Sequence, residues 1–151
     1  MSTADDLDRF DRSILAALGR EGRLSMADLA QKVGLSKTPV QARVRRLERD
    51  GFIRGYQAVV DSVRMGEGHI AFVQVKLSDT RSAALDAFNR AVKDVREIEE
   101  CHMMAASFDY LLKVRTSDIA SYRRTLGEKI SALPHVAQTS TFVAMESVKD
   151  R

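Results

Sequence analysis

The chain has 151 residues, 44% of them hydrophobic, and carries a formal net charge of +3. That length allows one domain or two small ones, and no apolar run approaches the 18 residues that a membrane span needs. A single cysteine, Cys101, excludes an intramolecular disulfide and fits a reducing cytoplasm, and the acidic start MSTADDLDRFD does not read as a secretory signal.

The charge is unevenly placed. Residues 1–60 hold 11 Lys+Arg and 8 Asp+Glu, a net of +3, whereas residues 61–151 hold 13 of each. Within Lys37–Arg54 there are six bases and two acids. A cluster of that kind on one element is what phosphate binding requires.

In chain order, residues 1–6 read as disordered. Phe10, Ile14 and Leu18, with Leu15 beside them, then predict a helix from Asp8 to about Gly19. Met26, Leu29, Ala30 and Val33 predict a second, short helix, broken by Gly34. In Ser36–Asp50, SKTPVQARVRRLERD, Val40, Val44 and Leu47 fall on one side of a helix. Thr38, Ala42, Arg45 and Arg49 fall opposite, flanked by Gln41 and Arg46. Ser36 is placed to cap this third helix, Pro39 sits in its first turn, and Gly51 suits a left-handed end. Two short helices joined through a Gly turn, the second basic on its outer face, form the helix-turn-helix pattern. Thr38, Gln41, Ala42 and Arg45 are the candidates for base-edge contact. Ser36, Lys37, Arg46, Arg49 and Arg54 are the candidates for phosphates, and Arg43 lies too near the apolar face.

The segment FIRGYQAVVD predicts a short strand or two, forming a wing. DSVRMGEG, residues 61–68, reads as a linker between a DNA-binding domain, 1–60, and a second domain, 69–151. In the latter, strands are expected at His69–Leu77, Val95–Ala105, Asp109–Arg115 and His135–Val148. Helices are expected at Ser82–Val92 and from a cap at Thr116 or Ser117 to about Ala132, the last with Ile119, Tyr122, Leu126 and Ile130 inward and stopped by Pro134. The order β-α-β-β-α-β predicts a ferredoxin-like sheet with both helices on one face. The chain is therefore expected to be α+β. The other sheet face, with Phe72, Met104 or Met145, needs a cover, which self-association supplies.

Cys101 and His102 point to opposite faces of a strand, so they do not form a metal site. Glu99 and Glu100 read as alternating strand positions. No phosphate loop or serine–histidine pair is present, and no enzyme is expected.

From about residue 7 to 148 the chain resembles the Lrp/AsnC, or feast/famine, family of bacterial and archaeal transcription regulators. LSKTPVQARVRRLERDGFIRGY and EECHMMAASFDYLLKV carry the resemblance, with YRRTLGEKISALP. LSKTPVQARV is also similar to proteobacterial members that activate proline dehydrogenase. The resemblance implies an amino-acid-responsive regulator of amino-acid metabolism genes, in the cytoplasm, on pseudo-palindromic double-stranded DNA. It implies a homodimer formed through the sheet domain and assembled into octamers or similar rings. The implied effector, with proline and leucine as candidates, binds at a turn that here comprises Met104, Ala105, Ala106, Ser107, Phe108, Asp109 and Tyr110.

Two residues depart from the family pattern. Ala106 stands where Gly is usual, at a cost of roughly 1–2 kcal/mol if the backbone there is left-handed, and Ser107 stands where the leucine-responsive members carry an acid. Asp109 reads equally as a ligand contact or as a turn residue bonding its own backbone. The alternative to a responsive regulator is an architectural DNA-wrapping protein that senses no ligand.

Overall fold

In the computed structural model, which describes residues 6–150, the first helix, α1, runs Arg9–Arg20. Asp8 starts it with a capping box: its carboxylate accepts from the N–H groups of Phe10 and Asp11, and the Asp11 carboxylate accepts from the Asp8 N–H at 3.1 Å. Helix α2, Met26–Val33, begins at Ser25, whose hydroxyl accepts from the Asp28 N–H, and ends at Gly34 with φ 73°. Helix α3 is Lys37–Arg49. Ile14, Leu18, Leu29, Ala30, Val40, Val44 and Leu47 meet in one core, as their helical spacing predicts. The expected disorder of residues 1–6 falls, for residues 1–5, outside the described residues.

Two local expectations fail here. Ser36 occupies the N-cap position of α3, but its side chain makes no capping hydrogen bond. Residues 52–60 form no strand. Phe52 and Ile53 pack against the helical core, but Val59 and Val60 are exposed and find no ladder partner within the chain. β-Propensity is expressed only where a neighbouring strand exists.

The chain divides into two compact units, one ending at Val59 and the other starting at Val60. The segment read as a linker is a closed turn, with the Met65 N–H donating to the Asp61 carbonyl and the Glu67 N–H to the Ser62 carbonyl.

The second unit holds β1 (His69–Leu77), α4 (Ser82–Ala91), β2 (Ile98–Met103), β3 (Tyr110–Thr116), α5 (Ile119–Thr125) and β4 (Val136–Val143). The sheet order is β2-β3-β1-β4, and all three pairings are antiparallel. This is the ferredoxin-like arrangement. Ala71, Val73, Val75 and Leu77 face a core with Phe88, Tyr122 and Ile130. The opposite face carries Phe72 opposite Phe142, 37% and 54% exposed. Met104 lies in the β2–β3 turn and Met145 beyond β4, both exposed.

Several boundaries move. β2 starts at Ile98 because Val92–Asp94 continues α4 as a tighter 3-10 turn. β4 stops at Val143. The cap of α5 is Asp118, whose carboxylate accepts from the Ser121 N–H at 2.7 Å. Thr116 is the last residue of β3, and its hydroxyl donates to the Asp118 carbonyl and bonds His69 Nδ1. Helix α5 passes into a π turn at Leu126–Ile130, and Ile119 is 59% exposed rather than inward.

Candidate nucleic-acid interface and effector turn

The apolar stripe of α3 decides which side chains face out. With Val40, Val44 and Leu47 buried, the residues Ser36, Lys37, Thr38, Ala42, Arg45 and Arg49 are exposed, as is Arg54 after the helix, and Gln41 is half-buried. Arg49 leans on Asp50, with Nε 2.9 Å from Oδ1, yet stays 73% exposed. The face thus presents hydroxyl, amide and methyl groups between cations, which is the mixture that reads base edges and phosphates.

Arg46 is placed differently from its expected role at the outer edge. Its guanidinium is paired with Asp11 of α1, which is fully buried. Arg43, set aside in the sequence reading, donates to the same Asp11 carboxylate at 2.8 Å and to Asp8 at 2.7 Å. The Asp11 N–H, with Arg43, holds the Asp8 carboxyl below the usual range, and Asp11 and Asp8 together push Arg43 up. The Phe10 ring lies under the Arg43 guanidinium at 5.6 Å. Arg43 and Arg46 therefore fasten α3 to α1. The signal for this was available: Asp11 stands at i−3 and i−7 from Ile14 and Leu18, an acid on an apolar face.

The second candidate site is the β2–β3 turn. Met104, Ala106 and Ser107 are exposed, whereas Phe108 and Asp109 are half-buried. Asp109 bonds neither a turn N–H with its carboxylate nor its own backbone. Its Oδ2 accepts from the Leu77 N–H at 2.7 Å, at the register shift between β1 and β4. Its N–H donates to the Val75 carbonyl and its carbonyl accepts from the Met104 N–H. Asp109 therefore pins the turn to the end of β1. Among the described residues, His135 is the non-glycine with positive φ, so Ala106 is not left-handed and the anticipated strain is absent. Tyr110 leaves the turn for the core: it is 1% exposed, stacks on Phe88 at 4.4 Å, and donates its hydroxyl to Asn89 at 2.8 Å.

Cys101 is half-buried against the sheet core, and burial pushes its thiol pKa up. His102 lies exposed, 3.1 Å from Glu100. Among the described residues no three His, Cys, Asp or Glu side chains gather as metal ligands, and no helix is long and apolar enough to cross a membrane.

Residues 7–54 match a winged helix-turn-helix DNA-binding family model, and residues 70–151 match the Lrp/AsnC ligand binding domain. A proline dehydrogenase transcriptional activator of Rhizobium radiobacter is 60% identical over 146 residues, covering 97% of this chain and 94% of that protein. The leucine-responsive regulatory protein of Escherichia coli K12 is 46% identical over 144 residues, 95% of this chain and 88% of that protein. Among solved structures, an AsnC family transcriptional regulator from Agrobacterium tumefaciens superposes with TM-score 0.89 at 35% identity, covering 95% and 94% of the two chains. A Neisseria meningitidis regulator solved with L-methionine gives 0.88 at 26% identity, covering 95% and 93%. These relatives are regulators rather than enzymes, and their likeness spans both units. A DNA-binding helix-turn-helix and an amino-acid-binding ferredoxin-like unit in one chain, at this identity, show that the protein belongs to the Lrp/AsnC family of transcription regulators.

Proposed function

We propose that the protein controls genes of proline utilisation in the cytoplasm, and that proline is its effector, ahead of leucine. The observation that carries this is the 60% identity, over nearly the whole chain, with a relative named for activating proline dehydrogenase. A second such relative, from Rhodobacter capsulatus, is 54% identical.

In this reading a homodimer sets two α3 helices into successive major grooves about 34 Å apart. Thr38, Gln41, Ala42 and Arg45 meet base edges. Lys37, Arg49 and Arg54 meet phosphates, joined by Ser36, whose hydroxyl is not engaged in capping. Arg46 drops out of the phosphate set, since Asp11 engages it. The effector sits against the exposed Met104, Ala106 and Ser107 and the half-buried Phe108, with Asp109 fixing the turn's shape and Tyr110 supporting it from the core. The Phe72–Phe142 face joins protomers, and dimers assemble into an octamer or similar ring.

The test is footprinting on the promoter of the organism's own proline dehydrogenase gene, with and without each amino acid, alongside a thermal-shift screen. A ligand at about 100 times its Kd stabilises a native state by roughly 2.7 kcal/mol. Protection that changes with proline and with few others supports the reading. Promoter protection indifferent to every amino acid would replace it with the architectural one, and no protection would remove the target assignment.

A further inference from the structure

The outer face of the sheet, away from α4 and α5, is not bare along its whole length. β4 ends at Val143, and the Ala144 N–H still donates to the Ile70 carbonyl at 2.9 Å. The chain then leaves β4 and reaches β3, where Asp150 meets Lys113 and Arg115. Oδ1 lies 3.4 Å from Lys113 Nζ, and Oδ2 lies 3.1 Å from Arg115 Nη2. Leu112 and Val114 point into the core, so Lys113 and Arg115 stand on the outer face, as do Phe72 and Ile70 opposite them in register. The tail thus passes from β4 to β3 on the outer side of β1. Ile70 records the cover: it is 6% exposed although it lies outside the sheet core, whereas Phe72, two residues on, is 37% exposed.

The crossing is held at its end and loose in its middle. The Lys113 and Arg115 side chains are 15% and 10% exposed, and cations so far from water depend on nearby carboxylates. Met145 and Val148, between the two anchor points, are almost wholly exposed and do not pack on the sheet. Lifting the tail strands neither cation. Lys113 keeps Glu99 and Glu100 at 3.5 and 3.6 Å, and Arg115 keeps Glu99 and the Glu67 carbonyl. The Asp150 side chain is 41% exposed, so its contacts are of the weak, salt-screened kind.

The position of the crossing matters because Lys113 is the register partner of Phe72. Neighbouring strands lie about 4.8 Å apart, and two sheets packed face to face lie about 10 Å apart. That gap holds the side chains of the two facing sheets and has no room for a further layer of backbone. A second copy seated on Phe72 and Phe142 would meet the tail.

We propose that residues 145–150 form an autoinhibitory strap. Latched by Asp150 on Lys113 and Arg115, it competes with a second copy of the chain for the sheet face and lifts when two protomers join. The strap rests on the reading that protomers join through the Phe72–Phe142 face.

The test compares the full-length protein, Asp150→Lys and a chain ending at Ala144, each fluorescently labelled, by analytical ultracentrifugation over a dilution series. Asp150→Lys sets a third cation beside Lys113 and Arg115 and opens the latch, whereas the shortened chain has no strap. Two straps lift per dimer, so both variants are expected to lower the dimer Kd roughly five- to thirtyfold. Sodium chloride at about 0.5 M screens the latch, so it should tighten the full-length dimer and leave the Kd of the shortened chain within about twofold. An unchanged Kd, or weaker association, in either variant overturns the strap. Phe142→Glu separates the two readings. If it stays dimeric, the sheet-face joint is wrong; if it dissociates while the strap variants keep the native Kd, the strap alone is wrong.

Discussion

Asp11 carries its charge where solvent does not reach it, at 0% exposure, between two guanidiniums of the DNA-facing helix. Removing one partner of a buried charge pair leaves the other uncompensated, at about 3–5 kcal/mol when both are buried. Arg43 and Arg46 are partly solvated, which brings the cost to the low end of that range or below it. Asp11→Ala is expected to destabilise the DNA-binding unit by about 2–4 kcal/mol in urea denaturation. Arg45→Ala, at an exposed position, should change stability by no more than about 0.5 kcal/mol. It should instead remove roughly 1–3 kcal/mol of discrimination between specific and random duplex. Arg49→Ala should weaken both duplexes alike. Equal losses on the two duplexes from Arg45→Ala would remove Arg45 from base reading. The three tyrosines supply a pH-linked counterpart. Burial, with the hydrogen bond to Glu48, pushes Tyr56 up to about 12, and burial also raises Tyr110 and Tyr122 above their ordinary 10.0. Because the folded values are raised, this stabilisation is fully present below pH 10 and is lost as the pH climbs through the folded values. Phenolate absorbance is therefore expected to stay flat through pH 10 and to rise together with loss of helical circular dichroism. Tyr56 is half-exposed, so the test rests on Tyr110 and Tyr122, 1% and 3% exposed: a rise centred at 10 for all three phenols in a still-helical protein would contradict those two buried settings.

Elements read from the chain by their period came out with nearly their observed bounds. α2 and β1 are examples, because a 3.6- or 2-residue alternation is set by which face meets the core. What did not read from the chain depends on contacts distant in sequence. Choosing Asp118 over Thr116 as the cap of α5 requires knowing that the Thr116 hydroxyl is drawn toward His69, 47 residues earlier. The wing strands failed because composition cannot supply a ladder partner. Arg46 was assigned outward by helical angle alone, although its long side chain reaches back to α1. The Leu77 N–H as the partner of Asp109 follows from sheet register, which no local pattern encodes. Glycine shows the same dependence on setting. Gly34 closes α2 with φ 73°, whereas Gly19 lies inside α1 with nothing within 4 Å of an added Cβ. Gly34→Ala is expected to cost about 1–2 kcal/mol and Gly19→Ala to gain up to about 1 kcal/mol. Melting temperatures that move in the same direction for both would show that the two backbone settings do not govern the effect.

Two properties of the entire chain converge on association. Its excess charge resides in residues 1–60, and its sheet presents an aromatic pair on the face away from α4 and α5. A protomer carries one α3, with Lys37, Arg45, Arg49 and Arg54 available to DNA, and one such contact set is a weak electrostatic grip. Joining two protomers makes the second contact intramolecular and gains 10²–10⁴-fold in affinity without any new kind of contact, roughly as for other linked modules. In the proposed dimer the exposed Phe72–Phe142 face is the joint. Phe142→Glu places a carboxylate in that proposed joint, where its desolvation opposes association. The variant is expected to sediment at the mass of one chain, 16.8 kDa, while keeping its circular dichroism, since Phe142 is already half-exposed. With six to eight phosphates contacted per dimer, log K against log salt should slope at about −5 to −7 for the native protein. It should slope at about half that for Phe142→Glu, with affinity for a palindromic site falling toward that for a half-site. If the variant remains associated, the sheet face is not the joint. If it is monomeric yet keeps the full salt slope, one protomer already makes all the phosphate contacts, and the two-groove geometry is wrong.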